Sequence, residues 1–349
     1  MTKTQRVILG LGVLVLALVL IAGCGGGDKK PAAPAAGAPA AAGKVMLYSS
    51  MKDSQLAALK AGFMKKNPGV QMDYYTAGTG SVMTKLATEQ QAGGISADLL
   101  WVGEPTNYRE FKAKGLLLPY KSAEAAQVPD QFKDKDDMFI AARVVSLGFV
   151  YNKSLVKPED VPKTWEDLLK PRFKGLVGMT DPTFSGTTLF TVAGLVQNPN
   201  YGWKYLEQLK ANGIKLERGS GGVVNKVGSG DYHVSIGVDY IAWSLMKQGS
   251  PIGFVYPVKD IPIIDSPIAI VKNTKNEKAA KLLYDYILSE EGQKILMVEF
   301  TAPVRKGLQL EGAIPIAEAV QKKLPVNEEQ LAKEKTDMLK KFDSIFKAK

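Results

Sequence analysis

From Lys44 onward the chain repeats one pattern: a short apolar strand, a turn rich in Ser, Thr and Gly, then an amphipathic helix. Such strands bury both faces only in a largely parallel sheet wrapped by helices, which makes this an α/β chain. Val45-Met46-Leu47-Tyr48 reads as the first strand, and Ser49-Ser50 turn it into a helix carrying Leu56, Leu59, Phe63 and Met64. Asn67-Pro68-Gly69 stops that helix, and Val70 to Tyr75 alternates as a second strand. Thr76-Ala77-Gly78-Thr79-Gly80-Ser81 leads into a helix through Met83, Leu86 and Ala87. Asp98 to Val102 reads as a third, buried strand, and Thr106 to Lys114 as helix.

The middle of the chain follows the same scheme. Val144 to Tyr151 is a strand, Trp165 to Leu169 starts a helix, and Leu176 to Met179 is a strand feeding Asp181-Pro182-Thr183-Phe184-Ser185-Gly186-Thr187. Tyr201 to Asn212 is a helix closed by Gly213, Ser220-Gly221-Gly222 opens another, and Val234 to Val238 is a strand ending at Asp239-Tyr240. Pro267 to Val271 returns to the first sheet, followed by a helix from Glu277 to Leu288. No repeat of solenoid period occurs, and the roughly 300 residues of this body suffice for two compact cores. The expected architecture is two doubly wound α/β lobes joined by a hinge of crossing strands near 141 and 260. Lobe I takes 44–140 plus 260–310, and lobe II takes 141–259 plus 311–349.

The N-terminus reads as an address. Lys3 and Arg6 precede an apolar run from Val7 to Ile21, and no acidic residue occurs before Asp28. So short a run is expected to be the core of a signal peptide over 1–23 rather than a spanning helix. It ends in Ile21-Ala22-Gly23-Cys24, which resembles the lipobox of bacterial lipoproteins and makes Cys24 the expected lipidation site. Cys24 is the only cysteine, so an intramolecular disulfide is excluded. The Gly/Pro/Ala-rich stretch over 24–43 reads as a flexible tether. Loss of 1–23 takes the formal charge from +10 to +8. The excess lysines are dispersed and, toward the C-terminus, alternate with acids as on a solvated helix face, so nucleic acid is not an expected partner.

In open α/β sheets ligands lie at the carboxyl ends of the strands, where the chain turns into helices. Four such turns here are rich in small donors: Ser49-Ser50, Gly78-Thr79-Gly80-Ser81, Ser185-Gly186-Thr187 and Ser220-Gly221-Gly222. Hydroxyls, free first-turn N–H groups and the helix dipole together describe a site for a phosphate, phosphonate or carboxylate. Catalytic signals are lacking. There is no G-x-S-x-G elbow, P-loop or H-E-x-x-H, and Met83 stands where a dinucleotide fingerprint needs its third glycine. The single histidine, His233, at a strand start, reads as structural, so neither a metal site nor a cofactor is expected.

The chain resembles bacterial extracellular solute-binding proteins of the type II, two-lobed class, and within them the branch of ferric-ion, phosphonate and sugar-phosphate receptors. The resemblance runs from about Lys44 to about Arg305 and is carried by several segments. These are Val45 to Ser50, Ser96-Ala97-Asp98-Leu99-Leu100-Trp101, Gly148-Phe149-Val150-Tyr151-Asn152 and the run from Pro162 to Gly175. Asp181-Pro182, Ser185-Gly186-Thr187 and Leu288-Ser289-Glu290-Glu291-Gly292-Gln293 complete it. Ferric members hold the metal with an adjacent tyrosine pair, a histidine and a glutamate. Here the strand end reads Val238-Asp239-Tyr240-Ile241, Lys52 follows the first turn, and Glu104 stands for the acidic ligand. These departures favour an organic anion, with Asp239 meeting an amine or hydroxyl and Tyr240, Tyr256 and Trp101 walling the pocket. For Arg143 two readings stay open, a counter-charge to the ligand and a solvated hinge residue.

The resemblance implies a receptor rather than an enzyme: a monomer held to the membrane by its lipid, outside the cytoplasm, that closes on a small anionic solute. Its implied partners are an ABC permease and its ATPase. The alternatives are a ferric-iron receptor of the same fold and a sensory ligand-binding lipoprotein.

Overall fold

The structure, a computed structural model, describes residues 43–347. The expected signal peptide, Cys24 and all of the tether but Gly43 lie outside the described residues. Three apolar segments, β1 (Gly43–Ser49), β2 (Val70–Thr76) and β3 (Leu99–Trp101), run parallel, with β1 between the other two. Their connections and cover are α1 (Asp53–Lys66), α2 (Thr79–Gln91) and α3 (Thr106–Ala113), followed by the short β4 (Leu117–Leu118). β5 (Ile140–Asn152) then runs thirteen residues, buried along nearly its whole length.

Beyond it the strand–turn–helix scheme resumes with β6 (Val177–Thr180), α4 (Gly186–Gln197), α5 (Gly202–Ala211) and β7 (Lys215–Glu217). It continues through α6 (Ser220–Ser229), β8 (Val234–Val238), α7 (Asp239–Lys247) and β9 (Ile252–Val255). β10 (Ile263–Val271) leads into α8 (Glu277–Leu288) and α9 (Glu290–Val298), and the chain closes with α10 (Ile316–Lys322) and α11 (Glu328–Phe346). Among the described residues no helix is long and apolar enough to cross a membrane.

The strands form one sheet in the order β2-β1-β3-β10-β5-β8-β6-β7, with β4 on β10 and β9 on β5. β6, β7 and β8 are parallel like β1 to β3, whereas β5 and β10 run antiparallel to their neighbours. β5 pairs through Ser146 with β10 and from Leu147 with β8. One strand therefore passes from the first parallel group into the second. Each group has its own core. Leu47, Leu56, Phe63, Leu99 and Leu283 belong to one, and Phe149, Trp165, Met179, Leu206 and Ile236 to the other. Leu331, Phe342 and Phe346 of α11 pack into the second core, on the polar-looking segment read from sequence as a solvated helix.

Two local expectations shift. The helix expected from Trp165 is a single 3-10 turn, Trp165–Leu169, because Pro171 forces Lys170 into extended backbone. β10 begins at Ile263 rather than Pro267, since Pro267 sits at a register shift inside the strand, where the missing N–H costs no ladder bond. Trp165 itself is fully buried, meets Phe149 edge-to-face at 5.3 Å and donates from its indole N–H to the Asp260 carbonyl at 3.0 Å. Trp165→Ala is expected to lower stability by about 3–5 kcal/mol, read as a fall in the urea midpoint.

Candidate functional site

The carboxyl ends of the two parallel groups face each other, and the turns leaving them supply the polar groups. Ser49, fully buried, donates its hydroxyl to the Trp101 carbonyl at 2.8 Å and accepts from the Met51 N–H, which fixes the first turn. Ser50 Oγ accepts from the Gly103 N–H at 3.0 Å. Ser185 caps α4 by accepting from the Thr188 N–H. Its hydroxyl also lies 3.1 Å from Thr187 Oγ1 and 3.3 Å from Ser220 Oγ, so the N-termini of α4 and α6 meet side by side.

The opposing turn, at the start of α2, touches this group through glycine backbone. A Cβ on Gly80 would overlap the Thr183 carbonyl oxygen, and one on Gly186 would stand 2.7 Å from Cβ of Glu104 and 2.9 Å from Thr79 Oγ1. A Cβ on Gly103 would approach the Thr187 methyl at 3.1 Å. Glycine here permits a close approach of one half to the other. At Gly221 and Gly222 a Cβ would meet nothing, and Ser81 is exposed.

Two cations flank one aromatic ring beside these turns. Arg143 is 1% exposed, its Nε donates to Ser266 Oγ at 3.3 Å, and its Nη1 has no partner. The guanidinium carbon stands 5.5 Å from the ring centre of Tyr240 and 5.7 Å from that of Trp101. Lys52 Nζ approaches the same Tyr240 ring at 5.8 Å, and burial draws its pKa below the ordinary lysine value. Of the two readings open for Arg143, the solvated one does not survive its burial. Lys52 follows Ser49-Ser50 in the same strand-to-helix turn, and that position is the signal in the sequence that marks it.

Of the remaining candidates, Glu104 borders these turns and lines a cavity with Thr79, Gly80 and Gly186, whereas Asp239 and Tyr256 line another. Glu104 is wholly buried and fully engaged: Oε1 accepts from the Thr106 N–H and hydroxyl, and Oε2 lies 3.3 Å from Lys335 Nζ. Asp239 accepts from the Tyr240 N–H at 2.7 Å and the Ser146 N–H at 3.2 Å, with the Tyr256 hydroxyl 3.5 Å away. Asp239, Ser146 and Tyr256 line a separate cavity of about 850 Å3 to which the serine turns do not contribute. Burial pushes the Asp239 carboxyl up to about 7, and burial likewise raises the Tyr256 hydroxyl. Among the described residues no three His, Cys, Asp or Glu side chains converge as metal ligands would.

A family model described as bacterial extracellular solute-binding protein matches residues 95–331. The chain belongs to this family. Among curated relatives, the phosphoglycerate transport regulatory protein PgtC of Salmonella typhimurium is 26% identical over 215 residues, 59% of this chain. The match spans 52% of PgtC, about half its length. The solute-binding protein AfuA of Actinobacillus pleuropneumoniae, solved with exogenous fructose-6-phosphate bound, superposes with a TM-score of 0.79 at 22% identity over 88% of this chain and 99% of AfuA. Iron-bound HitA of Pseudomonas aeruginosa gives a TM-score of 0.74 at 23% identity over 86% of this chain and 99% of HitA. The fold of this solute-binding protein is thus the type II periplasmic binding protein fold, as the sequence resemblance implied.

The carboxyl of Asp239 is held at about 7 against an ordinary 3.8. Folding therefore takes up a proton between those values, and stability falls as pH rises from about 4 to about 7. Asp239→Asn is expected to flatten this dependence: in urea unfolding near pH 5 and near pH 8 the variant loses less stability than the wild type.

Proposed function

We propose that this solute-binding protein is the capture receptor of an ABC-type importer and closes on a small anionic solute, an organophosphonate or sugar phosphate in preference to ferric iron. The observation that carries this reading is Arg143, a buried guanidinium whose Nη1 has no partner. A buried charge without a counter-ion is costly, and an anion placed against it removes the cost. Lys52 adds a second, partly desolvated positive group beside the same Tyr240 ring. The Ser185, Thr187 and Ser220 hydroxyls, with the N-termini of α4 and α6, suit the oxygens of a phosphoryl head. Ferric iron wants several anionic oxygens, whereas here two cations flank a single tyrosine.

Capture needs no covalent step. The solute enters while the two lobes, 44–140 plus 260–310 and 141–259 plus 311–349, stand apart. It then stabilises the closed arrangement because it touches both. The close approaches of Gly80 to Thr183 and of Gly186 to Glu104 are where the lobes meet. β5 and β10 serve as the hinge. Cys24, once acylated, tethers a monomer to the outer face of the membrane, where a permease with its ATPase receives the closed form.

The test is thermal unfolding of the protein with aminoethylphosphonate, hexose phosphates and ferric citrate, for wild type and Arg143→Gln. A ligand at a hundredfold excess over its Kd adds about 2.7 kcal/mol, seen as several degrees. A shift with a phosphonate or sugar phosphate that disappears in Arg143→Gln is the expected result. A shift with ferric citrate alone, or one that Arg143→Gln leaves unchanged, overturns the assignment.

A further inference from the structure

The cavity of about 850 Å3 that Asp239 and Tyr256 line has its own chemistry, unrelated to an anion. Its floor is one face of the two crossing strands. Val144 pairs with Asp265 and Ser146 with Ile263, and all four line the cavity. Arg143 is the neighbour of Val144 along β5, so it points to the opposite face. The walls are α3, residues 131–135 and α10, whose Ala319 packs in the first core, together with α11, which packs in the second. Much of the wall is aliphatic, with Ala302, Ile314, Ile316, Ala319 and Val320.

The acids of the floor feel cations only as separated charges, Arg143 at Asp239 and Lys323 and Arg109 at Asp265. Among the described residues neither Asp239 nor Asp265 forms an ion pair, and burial raises the carboxyl of each. The basic residues of the rim are mostly engaged: Arg109 with Glu328, Lys112 with Asp134 and Asp136, and Lys133 with Asp130. Lys323 lies over the Phe190 ring at 5.9 Å and reaches Asp265 only as a more distant charge. Lys135 and Lys333 are exposed at the mouth. The strand register sets Asp265 diagonal to Ser146, whose N–H holds Asp239, and diagonal neighbours stand about 7–8 Å apart.

We propose that this cavity is a second binding site, for a small amphipathic organic cation whose ammonium meets Asp239 and Asp265 and whose aliphatic body lies against Ile314, Ala319 and Val320. An ammonium carries three donors and the positive charge that the floor lacks, and the wall shields an alkyl chain from water. Because α3 and α11 both border the cavity, an occupant bridges the two halves at the hinge, on the face away from Arg143.

The experiment is calorimetric titration of the full-length chain with n-hexylammonium, beside n-hexanol and n-hexanoate as controls of equal apolar length. Saturable binding of hexylammonium at one site is expected, with both controls weaker. Asp265→Asn should weaken it about ten- to a hundredfold, the range of a lost hydrogen bond to a charged group. Ala319→Phe, which fills the cavity without touching a charge, should abolish it. Neither variant should alter the thermal shift given by an anionic solute, which separates this site from the anion cleft. Absence of saturable binding, equal binding of hexanol, an unchanged Kd in both variants, or displacement of hexylammonium by the anion overturns the proposal.

Discussion

β5 gives its backbone hydrogen bonds to two different sets of partners, to β10 as far as Ser146 and to β8 and β9 from Leu147 onward. The second parallel group meets it directly through β8, and the first reaches it through β10, which lies between β3 and β5. The strand is apolar almost throughout, as a strand covered on both faces must be. Apart from Asn152 at its end, its buried polar residues are Arg143 and Ser146, placed where the pairing changes hands. Arg143 stands against Tyr240 and Trp101, while the Ser146 N–H holds Asp239. The strand that unites the two halves thus also carries a group belonging to each of two distinct polar environments, one on either face.

Around that strand the chain uses small residues to bring polar atoms together. Ser49 spends its hydroxyl on the Trp101 carbonyl and Ser50 accepts from Gly103, so β1 and β3 end in a fixed relation. Across the gap, Ser185 holds the first turn of α4 and stands within hydrogen-bond reach of Ser220 at the start of α6. Glycines at 80 and 186 leave no side chain between these turns. Hydroxyls, helix N-termini and two cations near one ring are thereby gathered into one region.

The alternation of strands, Ser/Gly turns and helices was legible from sequence because it rests on short-range chemistry: β-branched runs, N-caps and stop signals. β1 to β3, β6 and β8, and the helices after β1, β2 and β3, lie where that chemistry places them. The serine turns were readable for the same reason. What sequence did not disclose depends on long-range register. Asp239 and Tyr256 look like neighbours of the serine turns along the fold, yet they line another cavity, because Asp239 bonds to Ser146 on β5. Glu104 looks like a free acid at a strand end, yet Thr106 and Lys335 occupy its oxygens, and Lys335 lies 231 residues away. The burial of Arg143 likewise follows from the crossing of β5 and β10, which no local pattern announces.

α11 packs Leu331, Phe342 and Phe346 into the second core, but its polar side is turned toward α3, where Glu328 pairs with Arg109 and Lys335 with Glu104. Hydrophobic anchoring on one side and ion pairs on the other respond differently to the surroundings. Dissolved salt leaves the first almost untouched and screens the exposed members of the second. The grip of the terminal helix on the opposite half is therefore a graded quantity set by the surrounding medium. It is firmer in dilute water than in brine, while the helix itself stays in place.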